Sequence, residues 1–279
     1  MTITSNRAVT RHTGSQFDRP TGRGVTLRKY DADRVPVAIF FTVTAIDFAL
    51  YFLVDTWWIV AGYWLAMIPA KGLISAWNHH HQHVAMFNAR PLNRLLELSF
   101  AFHTGVTTNA WVLHHVHGHH KHYLDQHLDE SRWRTRSGRT MGYLEYTLLT
   151  ALTAYTRAYA VGKKHPRLRR AFVGYGLLTL AILAVLIIAK PVNGLFLFAL
   201  PMITSLLLTI AATHKQHSGL DTDDHMQASR NYTHKIRNIL TGNLGYHTAH
   251  HYRQGVHWSK LPELHAEIEH QIPKEFIAS

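Results

Sequence analysis

Between positions 114 and 122 the chain reads HHVHGHHKH, six histidines in nine residues with no carboxylate among them. Two further clusters, HHHQH over 79–83 and HTAHH over 247–251, bring thirteen of the 24 histidines into three short stretches. Imidazole is largely neutral near pH 7 and offers one nitrogen lone pair, so such clusters are ready-made ligand sets. The spacing supports that reading. His79 and His83 stand four apart and share one face of a helix. His115 and His119 repeat the step, with His120 turned by about 100° on a helix. His247, His250 and His251 form an i, i+3, i+4 set. Nitrogen-only sites suit zinc, copper, iron or nickel and not the oxygen-seeking magnesium or calcium. Eight histidines exceed what one ion can take, which points to a pair of metals.

Other chemistry is closed off. The chain has no cysteine, so it holds no disulfide, thiolate zinc site or iron–sulfur cluster of its own, and electrons for a redox reaction must come from another protein. A zinc protease would need H-E-x-x-H with glutamate as base, and His80 stands at the glutamate position. No His-Pro-Gly-Gly haem motif occurs, because His165 and Pro166 are followed by Arg167 and Leu168.

The elements that must position these histidines are apolar and long. Four runs, at about 35–54, 57–77, 171–189 and 192–212, have the roughly 20-residue length that crosses a bilayer as a helix. The mean hydropathy of −0.10 hides them because the rest of the chain is strongly polar. The expected fold is an all-α integral membrane protein, four transmembrane helices in two hairpins with a cytosolic histidine-rich helical cap. Residues 1–34 form a basic cytosolic head and 35–279 a single membrane domain. The segment MGYLEYTLLTALTAYTRAYAVG is amphipathic and expected to lie in the membrane plane.

Lysines and arginines set the orientation. The head carries Arg7, Arg11, Arg19, Arg23, Arg28, Lys29 and Arg34, the central segment carries KKHPRLRR, and the hairpin tips hold only Lys190. Both termini and all three clusters are therefore expected on the cytoplasmic side of a multi-pass protein. The net charge of +12 flanks the spans and forms no nucleic-acid module, so no nucleic-acid partner is expected. Asp47, inside the first span, is expected to make a buried structural hydrogen bond, and Trp57, Trp58 and Trp64 to serve as interfacial or packing aromatics.

In order and spacing the three boxes resemble those of the membrane-bound di-iron superfamily of fatty acid desaturases and acyl or alkane hydroxylases, over about residues 35–270. The resemblance implies two non-haem iron ions, dioxygen as co-substrate, and no catalytic side chains beyond the metal ligands. It also implies a further ligand at the end of the fourth span. QHSGL, similar to the hydroxylase pattern, makes this His217, with His214 as the alternative. The expected set is then His79, His83, His115, His119, His120, His217, His247, His250 and His251. His80, His81, His114, His117 and His122 are expected in supporting or surface positions, and Asp125, Asp129, Glu130, Asp221, Asp223 and Asp224 either orient ligands or form a solvated acidic face.

The leading function so implied is desaturation of a fatty acid or acyl lipid. The middle box reads H-x-x-x-H-H where desaturases often show H-x-x-H-H, and its continuation resembles alkane hydroxylases, so hydroxylation of an acyl, alkane or terpenoid chain stands beside it. The partners implied are a lipid or hydrocarbon substrate, the membrane, and a separate electron donor of ferredoxin or rubredoxin type with its reductase. A histidine-rich metal transporter is the distant alternative. Its pathway would need ionisable residues along the spans.

Overall fold

A computed structural model describes residues 27–279. Arg7, His12, Arg11, Arg19 and Arg23 of the basic head lie outside them. The described chain is mostly helical, and four helices are long and apolar enough to cross a membrane, at Asp31–Leu53, Trp57–His83, Pro166–Ala189 and Pro191–His217. In hydrocarbon each backbone N–H and C=O must be satisfied within its own segment, which leaves helices as the solution for runs of this composition.

We number the helices α1 (Arg34–Leu53), α2 (Trp57–His83), α3 (Arg90–Thr104), α4 (Tyr143–Val161), α5 (Pro166–Ala189) and α6 (Pro191–His217). The smaller α7 (Lys235–Thr241), α8 (His247–Tyr252) and α9 (Leu261–Ile268) follow. Pro166 and Pro191 stand at first-turn positions of α5 and α6, where a missing N–H costs nothing. Inside α6, Pro201 has no N–H to give, and the wide π turn at Leu195–Ala199 sits just before it.

Two of the spans outrun their sequence limits. The second was expected to stop near 77 and the fourth near 212, yet α2 continues to His83 and α6 to His217. The first histidine cluster and His217 are therefore the polar last turns of membrane helices and not loops beyond them. Backbone hydrogen bonding carries the helix past the end of the apolar stretch, and the imidazoles inherit its rigidity.

The tight links at the other end of the spans meet each other. Lys190 donates from Nζ to the Phe52 carbonyl at 3.1 Å and to Asp55 at 2.8 Å. Asn193 donates to the carbonyls of Tyr51 at 2.9 Å and Val54 at 2.7 Å. These bonds tie the α1–α2 link to the α5–α6 link.

Asp47 does make buried bonds, but its main partner is a second charge in a span that the sequence reading passed over. Lys71 Nζ lies 2.7 Å from Asp47 Oδ2 and 3.3 Å from the Leu197 carbonyl, and Tyr63 donates to Asp47 Oδ1 at 2.8 Å. His103 of α3 adds Nδ1 at 3.3 Å from Oδ2 and Nε2 at 2.8 Å from the Thr44 hydroxyl. The helix α3 itself was not anticipated. Its buried face, Leu96, Phe100 and Phe102 among others, packs into the apolar clusters of the bundle.

Two features close the polar end. Asp33, fully buried, accepts from His257 Nε2 at 3.1 Å and Trp258 Nε1 at 2.8 Å, which pins the start of α1 to the C-terminal region. A short parallel pair, Asn231–Tyr232 with Ile277–Ala278, fastens the tail. Helix α4 buries Tyr146, Ala154 and Ala158 and leaves Leu144, Leu148, Leu149 and Leu152 exposed, an apolar outer face of the kind that meets lipid.

Candidate metal centre

The ends of α2 and α6, the middle box and α8 converge, and every one of the nine histidines lies in the convergence. His79, His83, His115, His120 and His250 form one group, and His119, His217 and His251 another, with one nitrogen from each residue within 4.8 Å of the others in its group. His247 joins the second group through its Nε2, 2.9 Å from His217 Nε2. The groups adjoin, with the rings of His120 and His251 stacked at 4.1 Å.

The middle box departs from the spacing expected of an α-helix. Residues Val112–His119 form a π-helical stretch, closed by the His120 amide on the His115 carbonyl at 2.8 Å. Its i, i+5 geometry brings His115 and His120 together, Nε2 to Nε2 at 2.9 Å, and turns His119 into the other group. The pairing expected from the four-residue step, His115 with His119, is thus exchanged for a five-residue one. The extra residue in H-x-x-x-H-H is what the wider turn accommodates. Gly118 keeps this stretch close to the next loop, since a Cβ there would stand 2.6 Å from Glu130 Cγ.

The third box divides similarly. His247 and His251, one α turn apart, both face His217, with ring centroids at 4.9 and 4.7 Å. His250 points the other way, its Nε2 2.8 Å from that of His79.

Do these side chains fit metal ions? Three Nε2 pairs stand 2.8–2.9 Å apart, close to the roughly 3 Å edge that two imidazole nitrogens would span when bound about 2.1 Å from one ion at a right angle. Buried nitrogens without any hydrogen-bond partner include His83 Nε2, His119 Nε2 and both nitrogens of His251. Such orphaned groups are costly unless something accepts their lone pairs. Two of the second nitrogens are held as metal-binding imidazoles require. His119 Nδ1 donates to Asp129 Oδ1 at 2.8 Å, and His217 Nδ1 to the Ala228 carbonyl at 2.9 Å, which leaves both Nε2 lone pairs facing the group. The residues therefore suit a pair of nitrogen-seeking ions.

Asp129 is fully buried and also receives the Ser131 amide at 2.7 Å, so its carboxylate is itself fixed. Replacement by asparagine removes the charge and one acceptor while preserving shape. Metal affinity of the Asp129→Asn variant is expected to fall by about 10–100-fold, read by competition with a chelator of known strength. The other acidic candidates face elsewhere: Asp221 pairs with Arg134 at 2.7 Å, Asp224 caps Met226, Asp125 binds the His127 amide, and Glu130 lies 3.8 Å from Arg132.

His214 sits off the cluster, its Nε2 3.1 Å from the Met141 carbonyl. His80 reaches the Thr241 carbonyl at 3.1 Å, His81 lies 3.5 Å from Glu97, His114 stacks on Trp111 and His117 on His165. None of these belongs to either group. Tyr123 was missed in the sequence. It is buried with its ring 4.4 Å from that of His251, and its hydroxyl bonds His225 Nδ1 at 2.5 Å.

Burial, followed by the crowd of neighbouring imidazoles, holds His115, His120, His247, His250 and His251 well below the usual imidazole range of 6.5. The unfolded chain therefore takes up protons first as pH falls. Stability from this set is whole above about pH 6.5 and drains below it, by up to roughly 1.4 kcal/mol per histidine per pH unit. The thermal midpoint of the protein is expected to be flat between about pH 8 and 7 and to drop steeply from about 6.5 to 5, measured by scanning fluorimetry in detergent.

Four helices long and apolar enough to cross a membrane, ending in two nitrogen-rich histidine groups, are the arrangement of a membrane protein with a histidine-box centre. The family model "Fatty acid desaturase" matches residues 55–278, most of the chain, and the protein belongs to that family. A search of curated proteins returns no match.

Proposed function

We propose that this protein is a dioxygen-dependent di-iron oxidoreductase that attacks unactivated C–H bonds of a long hydrocarbon chain, first of all as a desaturase of fatty acyl chains. The nine histidines would hold the two irons, with His217 preferred over His214 because its Nε2 faces the group. Bound there, the iron pair supplies oxygen activation at the cost of two electrons from a donor. The chain's own residues do the remainder: Asp129 and the Ala228 carbonyl fix ligand tautomers, and the protein around the pair excludes water.

The observation that carries the substrate reading is a cavity of about 320 Å³ in the seam between α2 and α6, lined by His79, His115 and His247. It runs down to Gly72 and Leu208, where a Cβ on Gly72 would stand 3.0 Å from Leu208 Cδ1. From His79 to Gly72 is seven residues of helix, on the order of 10 Å. A substrate chain would lie with one carbon at the histidines and its tail toward this floor. Gly72→Leu is therefore expected to shift preference toward shorter chains, read from relative turnover across a panel of chain lengths. An unchanged profile would remove the floor from the argument.

Hydroxylation is the second reading, and the five-residue spacing of the middle box is what favours it. The outcome depends on whether a second hydrogen or a hydroxyl transfer follows the first abstraction, a matter of sub-ångström placement. Mass spectrometry of products from acyl and alkane panels decides: two hydrogens lost with dioxygen reduced to water mean desaturation, one oxygen gained means hydroxylation. No product from any chain after iron loading and reduction would return the transporter to consideration. Below their histidine-bearing ends the charged groups buried in the spans are Asp47 and Lys71, paired with each other at 2.7 Å, which suits packing better than a pathway.

The cytoplasmic placement of the histidine end and both termini is supported by the lysines and arginines flanking it. At the opposite end the only basic residue of the two tips, Lys190, is paired with Asp55. An acidic ferredoxin or rubredoxin, serving with its reductase, would meet this basic face favourably.

A further inference from the structure

The cavity beside the histidines has a second end, and its chemistry differs from that of the floor. There Arg237 of α7 lines the opening. Its guanidinium lies over the ring of Tyr232, 4.3 Å from the centroid, and it makes no ion pair among the described residues. No Asp or Glu occurs anywhere between Asp224 and Glu263, while Lys235 stands two positions away. The same short helix leaves Ile236 and Ile239 63% exposed, so its apolar side is presented outward next to its cations. An amphipathic turn of this kind lies at the boundary between acyl chains and head groups.

Inside the cavity, Ser75 adds an independent sign of an occupant. It lines the wall one helical turn before His79, is 5% exposed, and its hydroxyl has no hydrogen-bond partner. A buried hydroxyl left in that state faces space that a ligand or water fills.

We infer that the substrate is an amphiphile with an anionic head, a carboxylate or a phosphate, held at the cavity mouth by Arg237 while its chain passes the histidines toward Gly72. Arg237 is exposed, so a bare alkane or a neutral ester would leave its guanidinium to water and the Tyr232 ring, whereas an anionic head would meet its charge. The inference rests on the cavity being the substrate site of the proposed oxidation, and it adds the chemistry of the head group. Arginine suits the role because its planar fork can meet two oxygens at once, and the tyrosine beneath it fixes its plane.

Equilibrium binding to the full chain in lipid nanodiscs tests this without turnover. The probes are hexadecanoate, hexadecyl phosphate and methyl hexadecanoate, compared between the native protein and the Arg237→Gln and Arg237→Lys variants. The native protein is expected to bind at least one of the anions more tightly than the ester. Arg237→Gln should weaken that anion by about tenfold or more, the loss of one charge-assisted pair, and leave the ester unchanged. Arg237→Lys should recover part of the loss. The anion with the larger dependence on Arg237 identifies the head. Equal affinity for anions in native protein and Arg237→Gln, or an equal loss for the ester, would overturn the inference. Binding that depends on Arg237 but yields no product on iron loading would sustain it while overturning the oxidative reading.

Discussion

Replacing His250 with alanine is expected to lower turnover by more than a hundredfold and to remove one of the two irons that the proposed site would hold, with membrane insertion preserved. His250 occupies the middle of the five-histidine group. Its Nε2 is 2.8 Å from that of His79, and its ring centroid lies 4.6 Å from that of His83 and 4.7 Å from that of His120. Removing a mere supporting partner costs about 10–100-fold in metal affinity or activity, so a larger loss with altered metal content marks a ligand. His117→Ala supplies the contrast. That imidazole stacks on His165 outside both groups, and its removal should change turnover by no more than a few-fold. Equal effects of the two substitutions would contradict the grouping.

The second large effect concerns stability. Asp47 and Lys71 are each almost fully buried and 2.7 Å apart, in a region where water cannot solvate a charge left behind. Asp47→Leu alone strands the ammonium, with the Leu197 carbonyl at 3.3 Å and the face of the Tyr63 ring at 5.8 Å remaining. A loss of about 3–5 kcal/mol is expected, roughly a 10 °C fall in thermal midpoint for a chain of this size. The double variant Asp47→Leu, Lys71→Met removes both charges and should recover most of that loss, because desolvation of an ion pair offsets much of its attraction. Single and double variants of equal stability would show that the pair is not the source. Since the pair lies away from the two histidine groups, metal content per folded chain should stay unchanged in all three proteins.

Much of the site was legible because its chemistry resides in residue type. Neutral imidazoles in three clusters are visible without any fold, and all nine expected histidines arrive in one place. Their division between the two groups was not legible. An α-helical reading of HHVHGHHKH joins His115 to His119, and a π turn joins His115 to His120 instead. That choice rests on a backbone register no local pattern announces. The spans were legible from apolar length, whereas their ends were not, since a helix continues through polar residues once its neighbours hold it. Lys71 escaped notice for a related reason. One charge in an apolar run reads as an exception until its partner on another helix, Asp47, is seen beside it. The buried α3, with its short amphipathic run from Pro91, and the bond from Asp33 to His257 depend on contacts between distant segments, which spacing within one segment does not encode.

Metal content tests the central claim most directly. Purified protein, loaded anaerobically with ferrous iron and freed of excess, should retain close to two irons per chain, and the His250→Ala variant close to one. Retention of two by the native protein with stepwise loss in variants of either histidine group would bear out a paired site. Retention of one iron or none, or a preference for zinc that excludes iron under the same conditions, would contradict it.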